Sequence, residues 1–383
     1  MSTARSPHLP TPVQKQLLHT LVAPTTEVVD RWNAWRSQLD LDDIDPGSFR
    51  LLPMLDHVLK DQPVDHPDLG RYKGLKRRCW YLNQQTFHHL ATISEYLAAA
   101  DIPVLIIKGA ALAHTVYPHP YLRPMDDGDI LVPRHHAEAA IDVLCDHEWQ
   151  PFYGSTREAL KTYVVNRDHS FNFENKQGTG IDLHWRLCLV MTPDETQQPF
   201  WDAAVPFSLG KKPARTLCPT DHLFHACVHG IVWNQVPALR WILDSLLILR
   251  KHGSAIEWDR LVAHAKSHQL CLWAFEALNY LRDEFDAEVP TATLDVLSRE
   301  PITDWQNREF QVLTQGGPNG LRDYYMRERI HRFRNVRDEW RDLSAPVAYS
   351  RFLQLHWELE YAWQIPLIIL QRLGQKAKSK LGR

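Results

Sequence analysis

Two runs decide how this chain is read: Val104-Leu-Ile-Ile-Lys108-Gly109-Ala110-Ala-Leu-Ala113 and Arg123-Pro-Met-Asp-Asp127-Gly128-Asp129-Ile-Leu-Val132. Residues 103–107 are short, apolar and rich in β-branched side chains, as a buried strand is. Gly109 stands at the end of that strand, where backbone must turn tightly or approach a ligand closely. Ala110 to Tyr117 suits a helix, which Pro118-His-Pro120 stops. Asp129 to Val132 reads as a second strand. Residues i and i+2 of an extended chain point to one side, so Asp127 and Asp129 project together. Two such carboxylates are hard oxygen ligands of the kind Mg²⁺ takes.

Further strands are expected at 150–153, 170–174 and 180–187. Asn175-Lys-Gln-Gly178-Thr-Gly180 joins the last two as a hairpin turn. In Ile181-Asp182-Leu183-His184-Trp185 the residues alternate: Asp182 and His184 share one face, and the three apolar side chains share the other. A carboxylate in so apolar a strand calls for a partner, and a metal ion is one. Asp182 is thus the candidate third acid, with His184 beside it. The alternative is a set of surface acids on two edge strands.

The fold class is α+β, a small mixed β-sheet with helices between its strands. An N-terminal helical region is expected over 1–100, the core over 101–210 and a C-terminal helical region over 211–383. In the first of these, helices read from residue 13, over 49–60 and over 77–100. Residues 134–149 suit an amphipathic helix inside the core. Strand signals end near Lys211. Helices are then expected at 219–233, 238–251, 256–268, 270–286, 320–340 and 345–373.

Several other side chains could serve a site. Lys108 supplies a point charge for a phosphate, and the helix that follows it offers an N-terminus. Arg123 could clamp a phosphate or pair with Asp126. His169 could line a pocket or sit in a turn. His225 and His229 lie one helical turn apart, but the glutamate of a zinc HExxH motif is absent. A polar wall or a packed helix is the better reading of that pair. Trp241 and Asp244 read as packing and a helix–helix hydrogen bond. No GxSxG elbow and no GxxxxGK[ST] loop occurs, which argues against a serine hydrolase and a P-loop NTPase.

Composition sets outer bounds. The 383 residues are 44% hydrophobic and 23% charged, with a net charge of −3, so no general basic field invites nucleic acid. Six cysteines without a CxxC pair fit a reduced, cytoplasmic protein. Residues 1–12 lack an apolar signal core, and no run approaches the ~18 apolar residues of a membrane span. The stretch Trp363 to Arg383 pairs apolar residues with a basic tail. It reads as a terminal core helix, with a membrane-surface helix as the alternative.

Taken together, Leu105-Ile-Ile-Lys-Gly-Ala-Ala-Leu, Arg123-Pro-Met-Asp-Asp-Gly-Asp-Ile-Leu-Val, Ile181-Asp-Leu-His-Trp, His229-Gly230 and Leu239-Arg-Trp-Ile-Leu-Asp244 resemble the bacterial "uncharacterised nucleotidyltransferase" family, within the polymerase-β-like superfamily. The likeness covers roughly residues 50–250. It implies transfer of a nucleoside monophosphate from an NTP, such as ATP, to a hydroxyl or phosphate acceptor, with release of pyrophosphate. It also implies that Asp127, Asp129 and Asp182 hold two Mg²⁺ ions (or Mn²⁺), Asp182 being a third ligand or a base. Lys108, Gly109, Ala110, Arg123 and His184 would line the nucleotide site. The acceptor would be a small molecule, glycan precursor or peptide. The alternatives are a toxin-like enzyme that nucleotidylates protein or RNA, and a nucleotide-binding module that has lost catalysis. Two positions depart from the superfamily pattern: Gly109-Ala110 stands for Gly-Ser or Gly-Gly, and Gly128 stands for an apolar residue and is expected to loosen its strand.

Overall fold

The computed structural model describes residues 9–152, 155–191, 197–232, 239–315, 342–356 and 361–370, together with Ile330, Phe333 and Leu359. At its centre is a five-stranded sheet in the order β1-β2-β5-β4-β3. Its strands are β1 (Leu105–Ile107), β2 (Asp127–Leu131), β3 (Gln150–Pro151), β4 (Ser170–Glu174) and β5 (Gly180–His184). β2 and β5 run parallel and the other neighbours antiparallel, so the sheet is mixed and the fold is α+β.

Side-chain alternation divides the sheet into two faces. Ile106, Ile130, Ile181, Leu183 and Trp185 enter one apolar cluster, with Leu90, Ile93 and Leu97 of the long Asp68–Ala99 helix and Ile141 and Leu144 of the Ala137–Asp146 helix. Leu105, Ile107 and Leu131 point the other way. They join a larger cluster with the N-terminal helices (Leu17, Trp35, Leu55) and the later helices (Phe224, Ile242, Leu278). The acids of β2 and β5 share the face of this second cluster. Each fully buried Leu or Ile contributes on the order of 1.5–3 kcal/mol, so the sheet's register, and with it the acids' placement, is fixed by the apolar residues between them.

Gly128 follows from the same packing. A Cβ there would lie 2.8 Å from Cδ2 of Leu90. The expectation of a loosened strand is therefore corrected: the glycine lets the long helix press closely on β2. That helix starts at Asp68 rather than near 77.

A second correction concerns the end of the strands. Val205–Leu209 (β6) and Lys212–Thr216 (β7) form a separate hairpin across Gly210-Lys211, with Gly210 at φ +63°. Pro206 and Pro213 hide this hairpin from pattern reading, because proline weakens a strand signal. Helices at Thr291–Arg299 and Asp304–Gln315 also go beyond the expected set. Of the segment expected as one helix over 345–373, Ala345–His356 and 364–370 are helical and Tyr361 to Trp363 is a turn. The expected 320–340 helix, apart from Ile330 and Phe333, and the basic tail 371–383 lie outside the described residues. No helix among the described residues is long and apolar enough to cross a membrane. All six cysteines are free.

Candidate active site

β2 and β5 place the acids side by side, since Asp129 is the register partner of Asp182. His184 follows two residues later on the same face. Its Nε2 lies 2.9 Å from Asp182 Oδ2 and 3.2 Å from Asp129 Oδ1. One donor atom from each of Asp129, Asp182 and His184 falls within 4.8 Å of the others, a cluster that could hold a metal ion. Ser170 Oγ on β4 donates to Asp182 Oδ2 at 3.2 Å. The other oxygen, Asp182 Oδ1, is buried without a hydrogen-bond partner.

Lys108 supplies the cluster's cation. Its Nζ donates to Asp129 Oδ1 at 2.7 Å and lies 3.0 Å from His184 Nε2 and 3.9 Å from Asp182 Oδ2. The residue sits at φ +49°, in the left-handed region, where β1 turns into the Lys108–Thr115 helix. A non-glycine residue there costs on the order of 1 kcal/mol. The strain falls on the residue whose ammonium reaches the acids.

Electrostatics sets the three acids apart. Burial alone would raise the Asp129 carboxyl, but Lys108 and then His184 outweigh it and hold Asp129 below its ordinary range. Burial likewise opposes ionisation of Asp182, and His184 and Lys108 overcome it. Asp127 has no hydrogen-bonded cation among the described residues, and the charge of Lys108 offsets only part of its burial. Burial, and next the charge of Asp129, push its carboxyl up to about 7. The cluster as it stands thus keeps two carboxylates ionised, while the third takes up its proton as pH falls through about 7. His184 is raised despite its burial because Asp182 and Asp129 face it.

A cavity of about 250 Å³ opens beside the cluster, bounded by Lys108, Asp127 and Asp129 on the sheet side and by His225, His229 and Arg240 on the helical side. The Pro219–Val232 helix carries the two histidines. His225 Nε2 lies 3.3 Å from the Leu187 carbonyl, and burial pushes this imidazole down to about 3; burial also lowers His229 strongly. Both imidazoles therefore line the cavity in the neutral form. His169 lies behind the cluster, its ring edge-on to His184 at 5.3 Å.

Arg123 has a different partner from either expected one. It binds Asp244 through two bonds, Nε to Oδ1 at 2.9 Å and Nη2 to Oδ2 at 2.8 Å, and Tyr117 Oη donates to the same Oδ1 at 2.7 Å. Asp126 pairs with Arg50 instead. Asp244 therefore ties the core's 117–123 loop to the Leu239–His252 helix, rather than bonding helix to helix. Gly109 belongs to the same assembly. A Cβ on it would lie 2.6 Å from Arg123 Nη1 and 2.9 Å from Met125 Sδ, so glycine is what lets these side chains pack against this backbone at the cavity wall. Ala110 is fully buried in the apolar cluster behind the sheet.

The chain matches the family described as "Uncharacterised nucleotidyltransferase" over residues 49–286, more than half its length. No curated protein gives a significant match.

Proposed function

Because the chain belongs to the uncharacterised nucleotidyltransferase family, we propose that it moves a nucleoside monophosphate from an NTP to a hydroxyl or phosphate of a small molecule, glycan precursor or peptide, releasing pyrophosphate. The observation that carries this reading is the meeting of Asp127, Asp129 and Asp182 on one sheet face, with Asp127 and Asp129 lining a cavity and Asp182 beside Asp129 in the next strand. The donor set fits divalent cations: hard carboxylate oxygens, one of them (Asp182 Oδ1) buried and unpartnered, and one acid, Asp127, whose carboxyl burial and the charge of Asp129 push up to about 7. Asp127, Asp129 and Asp182 would hold Mg²⁺ or Mn²⁺, with His184 as a further donor or as the group orienting Asp182. The cations, when bound, would neutralise charge on the transferring phosphate.

The remaining work falls to the protein's own groups. The acceptor oxygen forms a bond to the α-phosphorus as the bond from that phosphorus to the bridging oxygen breaks, and the pair of electrons leaves with pyrophosphate. The acceptor's proton passes to a carboxylate, for which ionised Asp182 is the candidate. Lys108, raised by its acids despite burial, remains a full positive charge beside the cluster and stabilises negative charge that develops there. The neutral His225 and His229 wall accepts or donates hydrogen bonds without adding charge. Catalysis is then mostly positioning and charge compensation. The assay is transfer of label from an α-³²P-NTP in cell extract with Mg²⁺. Labelled product should form with the wild type and be lost in the double variant Asp127→Ala, Asp129→Ala. Product that survives in the folded double variant refutes the assignment.

A further inference from the structure

The cations in and around the cavity are unequally matched. Lys108 is paired with Asp129, Arg123 with both oxygens of Asp244, and Arg50 with Asp126. Arg240, near the start of the Leu239–His252 helix, lines the same cavity and has no carboxylate partner among the described residues. Its hydrogen bond there is Nη1 to the Pro124 carbonyl at 2.8 Å. A guanidinium carries five N–H donors in a rigid fork, so most of its donating capacity is unused. It stands in protein-enclosed surroundings with Arg123 and Arg50 nearby, and burial followed by those two charges works against its own. A cation kept under such conditions gains most from an anion that brings its own negative charge and acceptor oxygens.

We propose that Arg240 is the phosphate anchor of this cavity: it binds a phosphate group from the helical side, opposite the acids of β2 and β5. Arg123, the more obvious choice from the sequence, has its charge matched by the two-bond pair with Asp244 and acts as a positioning residue. It carries the loop whose Pro124 carbonyl orients Arg240, and it is itself held by Asn83 Nδ2 donating to the Arg123 carbonyl at 3.0 Å. The phosphate has two possible sources, the polyphosphate of a nucleotide or a single phosphate on the acceptor. The identification of the first rests on the nucleotide-transfer reading; the anion site itself does not.

The test is calorimetric titration of the full-length protein with inorganic tripolyphosphate and with orthophosphate, in EDTA so that no metal contributes. Wild type, Arg240→Gln and Arg240→Lys are compared, with thermal unfolding of each to verify folding. The wild type should bind tripolyphosphate. Arg240→Gln should weaken it roughly ten- to hundredfold, the loss of a charge-assisted fork. Arg240→Lys should fall between, because it keeps the charge and loses the planar geometry. Tripolyphosphate bound well above orthophosphate assigns the anchor to the nucleotide's phosphate chain; equal binding, still dependent on Arg240, assigns it to a single phosphate on the acceptor. A folded Arg240→Gln protein that binds both as the wild type does, or a wild type that binds neither, overturns the proposal. Arg240-dependent tripolyphosphate binding without label transfer would remove the transferase reading and leave the anchor standing.

Discussion

Replacing Gly230 with alanine sets two physical effects against each other. Gly230 lies within the Pro219–Val232 helix, where alanine is intrinsically better by about 1 kcal/mol. Packing opposes the change. A Cβ on Gly230 would lie 2.2 Å from both Cβ and Cγ of Trp241 on the neighbouring helix. Carbon atoms pack at about 3.5–4.0 Å, so at least ~1.3 Å of separation is needed. The Trp241 Cβ is fixed by its backbone, and no rotamer change can provide that room. The two helices must move apart. Overpacking of this kind costs about 1–3 kcal/mol, and contact at both atoms places Gly230 at the upper end. The expected net effect is a loss of about 2 kcal/mol, accompanied by weaker tripolyphosphate binding as Trp241 and Arg240 are displaced. Gly74 is the control. It is exposed in the Asp68–Ala99 helix with nothing within 4 Å of an added Cβ, so Gly74→Ala should gain about 0.5–1 kcal/mol. Urea unfolding of both variants decides the matter. A Gly230→Ala protein as stable as wild type, beside a stabilised Gly74→Ala protein, would show that the close helix approach is wrong.

Other consequences concern charge and packing. Asp244→Asn leaves the buried Arg123 guanidinium without its counter-charge and should cost about 3–5 kcal/mol in urea unfolding; a change below 1 kcal/mol contradicts the pairing. Asp127, with its carboxyl pushed up to about 7, binds a proton in the folded chain between about pH 4 and 7, where the unfolded chain does not. Its contribution to stability is therefore present below pH 4 and is lost as pH rises to 7, by at most about 1.4 kcal/mol per pH unit. The metal-free wild type, measured relative to Asp127→Asn, should show that slope, and identical pH profiles would count against it. Because the same proton competes with a cation, Mn²⁺ affinity should climb with pH up to about 7 and then level off. Gly128→Ala should destabilise by about 1–3 kcal/mol through its clash with Leu90. Combining it with Leu90→Ala should cost clearly less than the two single losses added, in a double-mutant cycle; simple additivity would argue against direct contact.

What the sequence disclosed, and what it withheld, divides by distance along the chain. The i, i+2 spacing of Asp127 and Asp129, and of Asp182 and His184, is a local property of extended backbone. The sheet follows it, with β4 at Ser170–Glu174 as expected. The α+β class came from the same local periodicities. Contacts between remote segments were out of reach. Nothing local says that Arg123 meets Asp244, 121 positions on, or that Lys108 bridges to Asp129 and His184. Gly128 was misjudged for the same reason. It invites a local account, a loosened strand, whereas Leu90 fills the space its missing side chain leaves. The long helix was begun too late because Gly70 and Gly74 lower helical propensity on an exposed turn, a local preference overridden by the burial of Tyr72. Arg240 went unremarked because its significance is comparative, and appears only once the neighbouring cations are seen to be paired.

The central claim is that the acids of β2 and β5 grip divalent cations where a nucleotide's phosphates enter. Anomalous diffraction from a crystal grown with Mn²⁺ and a non-hydrolysable NTP analogue tests it most directly. The account predicts a manganese peak within bonding distance of Asp129 and Asp182, with the phosphates reaching toward Arg240. Nucleotide bound elsewhere, or bound in this cavity with no metal peak at the acids, would contradict it.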